Sequence, residues 1–316
     1  MIKKFLFPLA ISLLAFSLLS HATSCDNGII IAKNCVEKDR TSVAIEDATM
    51  ADYTQLKQLP NLERLHLIYP IDIDWQAIHA IPNLTELWFH RAALDDLEPL
   101  AEFKQIEELL FFGMNIGELN PLMEMPMLKN LYFDACAIGD IAELTYLTQL
   151  QKLKISTTGF YQTEILAPLT QLKYLNLSVS TVADISPLAN LAHLEELYIA
   201  ETKISDIQIL ANMPYLRSLN IALTPISDIS VLAKLNNLEE IILDGSDVSD
   251  LSPISEHQKL NLLSVKDIDI TDRSPLLNLE NLKILMVNDN ETSSFGGALI
   301  STDEINEWVN NAPKVK

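Results

Sequence analysis

"HLEELYIAETKISDIQILANM", residues 193–213, and "YLRSLNIALTPISDISVLAKL", residues 215–235, are two copies of one pattern set 22 residues apart. In the first, Leu194 is followed three places on by Leu197 and five places on by Ile199; in the second, Leu216 is followed by Leu219 and Ile221. Stepping by 22 from Leu62 meets Leu84, Ile106, Leu128, Leu150, Leu172, Leu194, Leu216, Leu238, Leu260 and Leu282, without insertion or deletion. The column five places on runs Leu67, Phe89, Phe111, Phe133, Ile155, Leu177, Ile199, Ile221, Leu243, Val265 and Val287. A degenerate copy with Val43 and Ile45 precedes them, giving about twelve units. Apolar residues alternating with polar ones mark a short strand. A fixed period of this size means a strand plus a compact return segment, stacked unit on unit because no single unit can bury its own apolar face.

The unit, with return segments such as "ADISPL" (183–188) and "SDLSPI" (249–254), resembles the internalin type of bacterial leucine-rich repeat protein over roughly residues 40 to 295. The resemblance implies an α/β solenoid: a curved right-handed coil with a parallel β-sheet on the concave face and short 3₁₀ turns on the convex face. It also implies a protein partner on the concave face. The chain departs from the type in the column that is usually Asn. That column reads Pro70, Ala92, Met114, Cys136, Thr158, Ser180, Thr202, Thr224, Ser246, Ile268 and Asn290, so hydroxyls are expected to replace the amides in the middle repeats.

Several regular columns look functional and have a plainer reading. Asp74, Asp96, Asp140, Asp184, Asp206, Asp228, Asp250 and Asp272, with Glu118 in register, stand just before the return turns. There a carboxylate caps the free N–H groups of a helical turn, and no cation is needed to explain them. Pro99, Pro121, Pro187, Pro253 and Pro275 start the turns, where a fixed φ helps and no donor is lost. Cys136 points inward at a strand end as an inert thiol. His79, His193 and His257 fall on return segments or their joints and are expected at the surface. His66 and His90 project from the concave face; without a third ligand they make no metal site, and no cofactor is expected.

The N-terminal stretch has Lys3 and Lys4, an apolar run from Phe5 to Leu19, then small residues, which is the layout of a secretory signal peptide. The expected organisation is signal peptide 1–22, N-terminal cap 23–40, repeats 41–295 and a C-terminal cap helix 296–316. Two readings of Cys25 exclude each other: a disulfide to Cys35 in an oxidising compartment, or a lipid anchor. Without Lys3 and Lys4 the chain has 20 basic against 43 acidic residues, a net charge near −23. That disfavours nucleic acid or an anionic membrane as partner. No second long apolar stretch follows, so no transmembrane segment is expected in the mature chain. At the other end, "STDEINEWVNNAPK" (301–314) offers Thr302 or Asp303 as an N-cap, with Ile305, Trp308 and Val309 on one helical face.

The concave columns carry the functional expectation. Four places after each first Leu stand His66, Trp88, Leu110 and Tyr132, then mostly polar residues; six places after stand Ile68, His90 and Phe112, then Asp134, Ser156 and Ser178. Large apolar groups on four neighbouring strands would make a patch roughly 15 Å wide, with Tyr69 at its rim. Aromatic anchors in such patches are typical contact residues of protein interfaces. The chain contains no phosphate-cradling glycine loop, nucleophile elbow or paired-cysteine zinc motif. The expectation is an exported, non-enzymatic, monomeric binding protein of periplasm, cell surface or medium. His66, Ile68, Trp88, His90, Leu110, Phe112 and Tyr132 would be its contacts. The runner-up is glycan binding, with Asp134, Asp244 and Asp267 as acceptors for sugar hydroxyls.

Overall fold

The computed structural model describes residues 28–32, 34–94, 96–288, 298–299 and 301–310. Two compact units share the chain, Met1–Ala93 and Leu94–Lys316. The expected signal segment, Cys25 and Asn290 lie outside the described residues.

In the first unit, strands Gly28–Ile31 and Asn34–Glu37 pair as an antiparallel hairpin. Parallel strands Ser42–Glu46, Arg64–Ile68 and Glu86–His90 follow, in a register that sets Val43 against Leu65 and Leu65 against Leu87. All three are buried. The return segments here are mainly α-helical, Met50–Gln55, which runs on into a 3₁₀ turn at Leu56–Gln58, and Trp75–His79, where the resemblance implied 3₁₀ turns alone. Neither starts with Pro, and both have α-type caps: the Asp52 carboxylate accepts the Thr49 N–H, and the Asp74 carboxylate accepts the Ala77 N–H three residues on. Trp75 lies against buried Phe89, ring centroids 6.0 Å apart, which makes it a packing residue.

In the second unit, parallel strands run from Glu108–Phe112 and Asn130–Asp134 through Lys152–Ser156, Tyr174–Asn176 and Glu196–Tyr198 to Ile284–Met286. Leu131 pairs with Leu153 and Leu153 with Leu175, so residues one repeat apart face each other. The short strand Ala298–Leu299 closes the row antiparallel to Ile284–Met286. The return segments are 3₁₀ turns, with Pro in the first positions of five of them, Glu98–Glu102, Asn120–Glu124, Ser186–Asn190, Ser252–Ile254 and Ser274–Asn278. The Asp column caps them. Asp96, Asp140, Asp184, Asp206, Asp228, Asp250 and Asp272 each accept the backbone N–H two residues on, at 2.7–3.1 Å. Glu118 differs: its carboxylate takes the Asn120 side-chain amide.

In four of the later repeats the column that lacks Asn bonds within its own repeat. Ser180, Thr202, Thr224 and Ser246 donate to the carbonyl three residues back, at 2.5–2.7 Å, and all four are buried. Cys136 Sγ sits 3.2 Å from the Phe111 carbonyl in the same slot, and burial raises its thiol pKa. Each hydroxyl thus satisfies the end of its own strand.

A second ladder has no counterpart in the sequence pattern. Asp47, Tyr69, Arg91, Gly113, Ala135, Thr157, Val179, Glu201, Leu223, Gly245 and Asp267, spaced one repeat apart, all have φ between 48° and 65°. This left-handed conformation costs a side-chain-bearing residue about 1–2 kcal/mol, yet only two of the ladder are Gly. The compensation is a hydrogen bond. The amides of Asp47 and Tyr69, and those from Gly113 to Gly245, each donate to a carbonyl at the end of the next strand, at 2.7–3.2 Å. The chain therefore turns out of the strand without losing its last ladder bond.

Two expectations are corrected. His257 is not at the surface but 4 % exposed, because it occupies an apolar column, one repeat after Leu235 and one before Leu279. The helix Thr302–Asn310 is capped one residue earlier than expected, by Ser301: its hydroxyl accepts the Glu304 N–H while the Glu304 carboxylate accepts the Ser301 N–H. Ile305, Trp308 and Val309 are buried as their spacing demands. The Arg273 guanidinium lies 3.6 Å from the centroid of the Trp308 ring, over its face.

Candidate binding face

In the first unit, register places His66 opposite Trp88 and Ile68 opposite His90. The His66 and Trp88 rings stack in parallel, centroids 4.1 Å apart and planes within 2°. Stacking leaves His66 Nε2 buried with no hydrogen-bond partner among the described residues. Burial, and then the Arg64 charge, bring the His66 pKa down to about 4, so the ring is neutral at pH 7. Burial and Arg91 also lower His90. The His90 ring tilts against Tyr69, centroids 5.7 Å apart, and the Arg91 guanidinium reaches the Tyr69 ring from 6.0 Å. Tyr69 and Ile71 are exposed, at 39 % and 77 %. Each histidine is thus engaged with an aromatic ring. Among the described residues no three His, Cys, Asp or Glu side chains converge as a metal site.

In the second unit, Leu110 stands opposite Tyr132 and Phe112 opposite Asp134. All seven expected contact residues, His66, Ile68, Trp88, His90, Leu110, Phe112 and Tyr132, are half-buried.

Beyond Tyr132 the strand face of this unit changes character. The Lys154 ammonium lies 2.7 Å from Asp134, and Ser156 donates to the other oxygen of that carboxylate at 3.0 Å. All three residues are buried. Further along, the Tyr198 hydroxyl donates to Glu196 at 2.9 Å, and Tyr174 and Tyr198 tilt together with centroids 5.4 Å apart. Burial pushes the Tyr174 hydroxyl up to about 12 and the Tyr198 hydroxyl higher still. The Asp244 carboxylate accepts from Ser264 and from the Lys266 N–H. Asp134 and Asp244, expected as sugar acceptors, thus already accept hydrogen bonds from neighbours on the face.

Charge along one edge of this face cancels. Lys129 pairs with Glu107 at 3.0 Å, Lys173 and Arg217 both approach Glu195 at 3.9–4.0 Å, and Arg217 grips Glu239 at 2.9 Å. Exposed pairs of this kind contribute little to stability, but they leave the strand face near neutral in a chain of net charge −21. The excess carboxylates lie on the turns, where capping uses them. The expected residues did not include Tyr174 or the Asp134–Lys154 pair. The available signal was the opposite charge of Asp134 and Lys154 in the two strand-face columns of neighbouring repeats.

Comparison with known proteins gives one family and a set of folds. The profile for leucine-rich repeats (two copies) matches residues 170–212. A search of the curated proteins by sequence found no match. An internalin (inlF) from Listeria monocytogenes superposes with a TM-score of 0.66 at 25% identity, over 81% of this chain and 84% of that one. Internalin C2 from the same species gives a TM-score of 0.57 at 30% identity, over 60% of this chain and 84% of that one. A plant peptide hormone receptor, RGFR1 in complex with RGF2, shares the fold alone, with a TM-score of 0.53 at 16% identity over 74% of this chain and 46% of that one. Among the described residues no helix is long and apolar enough to cross a membrane.

Proposed function

Because the chain belongs to the leucine-rich repeat proteins of internalin type, we propose that it is an exported, non-catalytic binding protein whose strand face holds a protein partner. Its contacts are His66, Ile68, Trp88 and His90 in the first unit and Leu110, Phe112 and Tyr132 in the second, with Tyr69 exposed at the edge of the first set. The observation that carries this reading is the His66–Trp88 stack, which leaves a histidine nitrogen desolvated and unsatisfied. Buried polar atoms are nearly always paired, and a perturbed, unpaired titratable group beside a half-open aromatic ring marks a functional surface better than a structural one. The near-neutral strand face fits a partner held by apolar contact. A structural neighbour solved with its partner, the RGFR1–RGF2 complex, lends the fold-level analogy.

Export follows from the signal-like segment 1–22. The mature N-terminus then carries either a Cys25–Cys35 disulfide or a lipid on Cys25, and its intact mass separates the two. Cys35 lies in the strand Asn34–Glu37 of the hairpin.

The test of the binding face is an affinity capture with the mature chain beside a Trp88→Ala/Phe112→Ala/Tyr132→Ala variant of matched melting temperature. Both are offered bacterial-envelope and host-cell surface extracts. A partner kept by the parent and lost by the variant is the expected result. A partner kept equally by both sinks the assignment of the face.

A further inference from the structure

His257 stands where the repeat asks for an aliphatic or aromatic side chain. Its column reads Leu59, Ile81, Phe103, Met125, Leu147, Leu169, Leu191, Met213, Leu235, His257 and Leu279. Every member is buried, His257 included. Both its ring nitrogens are closed off from solvent, and neither makes a well-formed hydrogen bond.

The ring is wedged between two successive repeats. The carbonyls of Leu232 and Leu235 approach from the turn Ser230–Lys234 and its end, and that of Ile254 from the turn Ser252–Ile254. Each of these carbonyls already accepts a backbone N–H: Leu232 from Leu235, Leu235 from Leu238, and Ile254 from His257 itself. They favour the protonated ring, but burial outweighs them and lowers its pKa below the usual 6.5. The surrounding segments carry charged groups: Asp228 and Lys234 on the preceding turn, Asp250, Glu256 and Lys259 on its own, and Asp272, Arg273 and Glu280 on the following one. None of them shifts the ring's pKa in either direction, and no carboxylate is hydrogen-bonded to either ring nitrogen.

We propose that His257 is a proton-operated joint between these two repeats: neutral, it packs as the apolar residue of its column; protonated, it leaves the wedge and parts the turn Ser252–Ile254 from the turn Ser230–Lys234. The physical reason is the cost of a buried, unpaired charge. The sign follows from linkage. The folded-state pKa lies below the unfolded one, so the contribution of the neutral ring is complete above about pH 6.5 and is lost as pH falls towards the folded value.

The test compares the full chain with His257→Leu, which restores the column, by urea unfolding between pH 7.5 and 5. The ratio of wild-type to variant folding constants should fall about tenfold per pH unit below about pH 6.5, until the folded pKa is reached. A ratio constant with pH overturns the joint. Amide exchange, compared between the two proteins at each pH, should show the wild type losing protection over residues 230–260 as pH falls; loss spread evenly along the chain overturns it too. Should the variant fail to fold, proton NMR titration of the wild-type ring decides the matter: a folded pKa below 6.5 supports the joint, and one at or above 6.5 removes it.

Discussion

The strand faces of the two units are built on the same backbone and filled in opposite ways. In the first, His66 lies flat against Trp88 and leaves Nε2 buried and unsatisfied. In the second, the equivalent slots hold Lys154 and Tyr198, and their polar atoms have partners: Lys154 on Asp134, Tyr198 on Glu196. A solenoid supplies identical slots at every repeat, and what distinguishes a binding surface is whether the occupants satisfy one another. Where they do, as from Asp134 to Ser156, the face is finished without a ligand. Where they do not, as at His66, a buried polar atom is left without a partner among the described residues.

Breaking the finished region should have the largest effect. Lys154→Met leaves the Asp134 carboxylate buried with only Ser156 to hold it, and should cost about 3 kcal/mol in urea-unfolding stability. Adding Asp134→Leu should recover much of that loss. A double variant no more stable than the single one would show that the pair contributes net stability and does more than compensate two buried charges.

The unfinished region should respond to pH instead. The folded pKa of His66 is about 4 against 6.5 unfolded, so its contribution is complete above about pH 6.5 and drains away between 6.5 and about 4. Urea unfolding followed by Trp fluorescence should therefore fall less steeply with pH in His66→Gln than in the wild type. Parallel pH curves would place the acid response elsewhere.

The smallest effect concerns the hydroxyl column of the second unit, which the first, with Pro70 and Ala92 at those positions, lacks. Thr202→Val removes the hydroxyl bond to the Ile199 carbonyl and should cost about 1 kcal/mol, read as a lower melting temperature with the strand face unchanged. A neutral outcome would mean that the hydroxyl column only fills space.

Much of this was legible in the columns. The period, the buried Leu, Ile and Phe ladders, the Asp caps and the turn prolines depend on local alternation and on capping chemistry, which a sequence displays directly. His257 was legible too, since counting in steps of one repeat from Leu235 lands on it; reading it as part of a joint hid that. The helix cap was displaced by one residue because Ser301 and Glu304 close a capping box, and their Ser-x-x-Glu spacing was there to be read.

By itself the sequence determined the architecture, because a repeat that cannot bury its own apolar face has to stack, and eleven aliphatic positions in step leave one way to do so. Only the tertiary structure decided which face residues spend their polar groups on each other. Asp134 meets Lys154 and His66 lies on Trp88 through side-chain rotamers and cross-strand register, in a contact spanning about one repeat that no local pattern encodes. The left-handed ladder is tertiary as well. Residues as ill-suited to it as Val179 and Leu223 adopt it because their amides are held by the next strand, and that hydrogen bond exists only once the repeats have stacked.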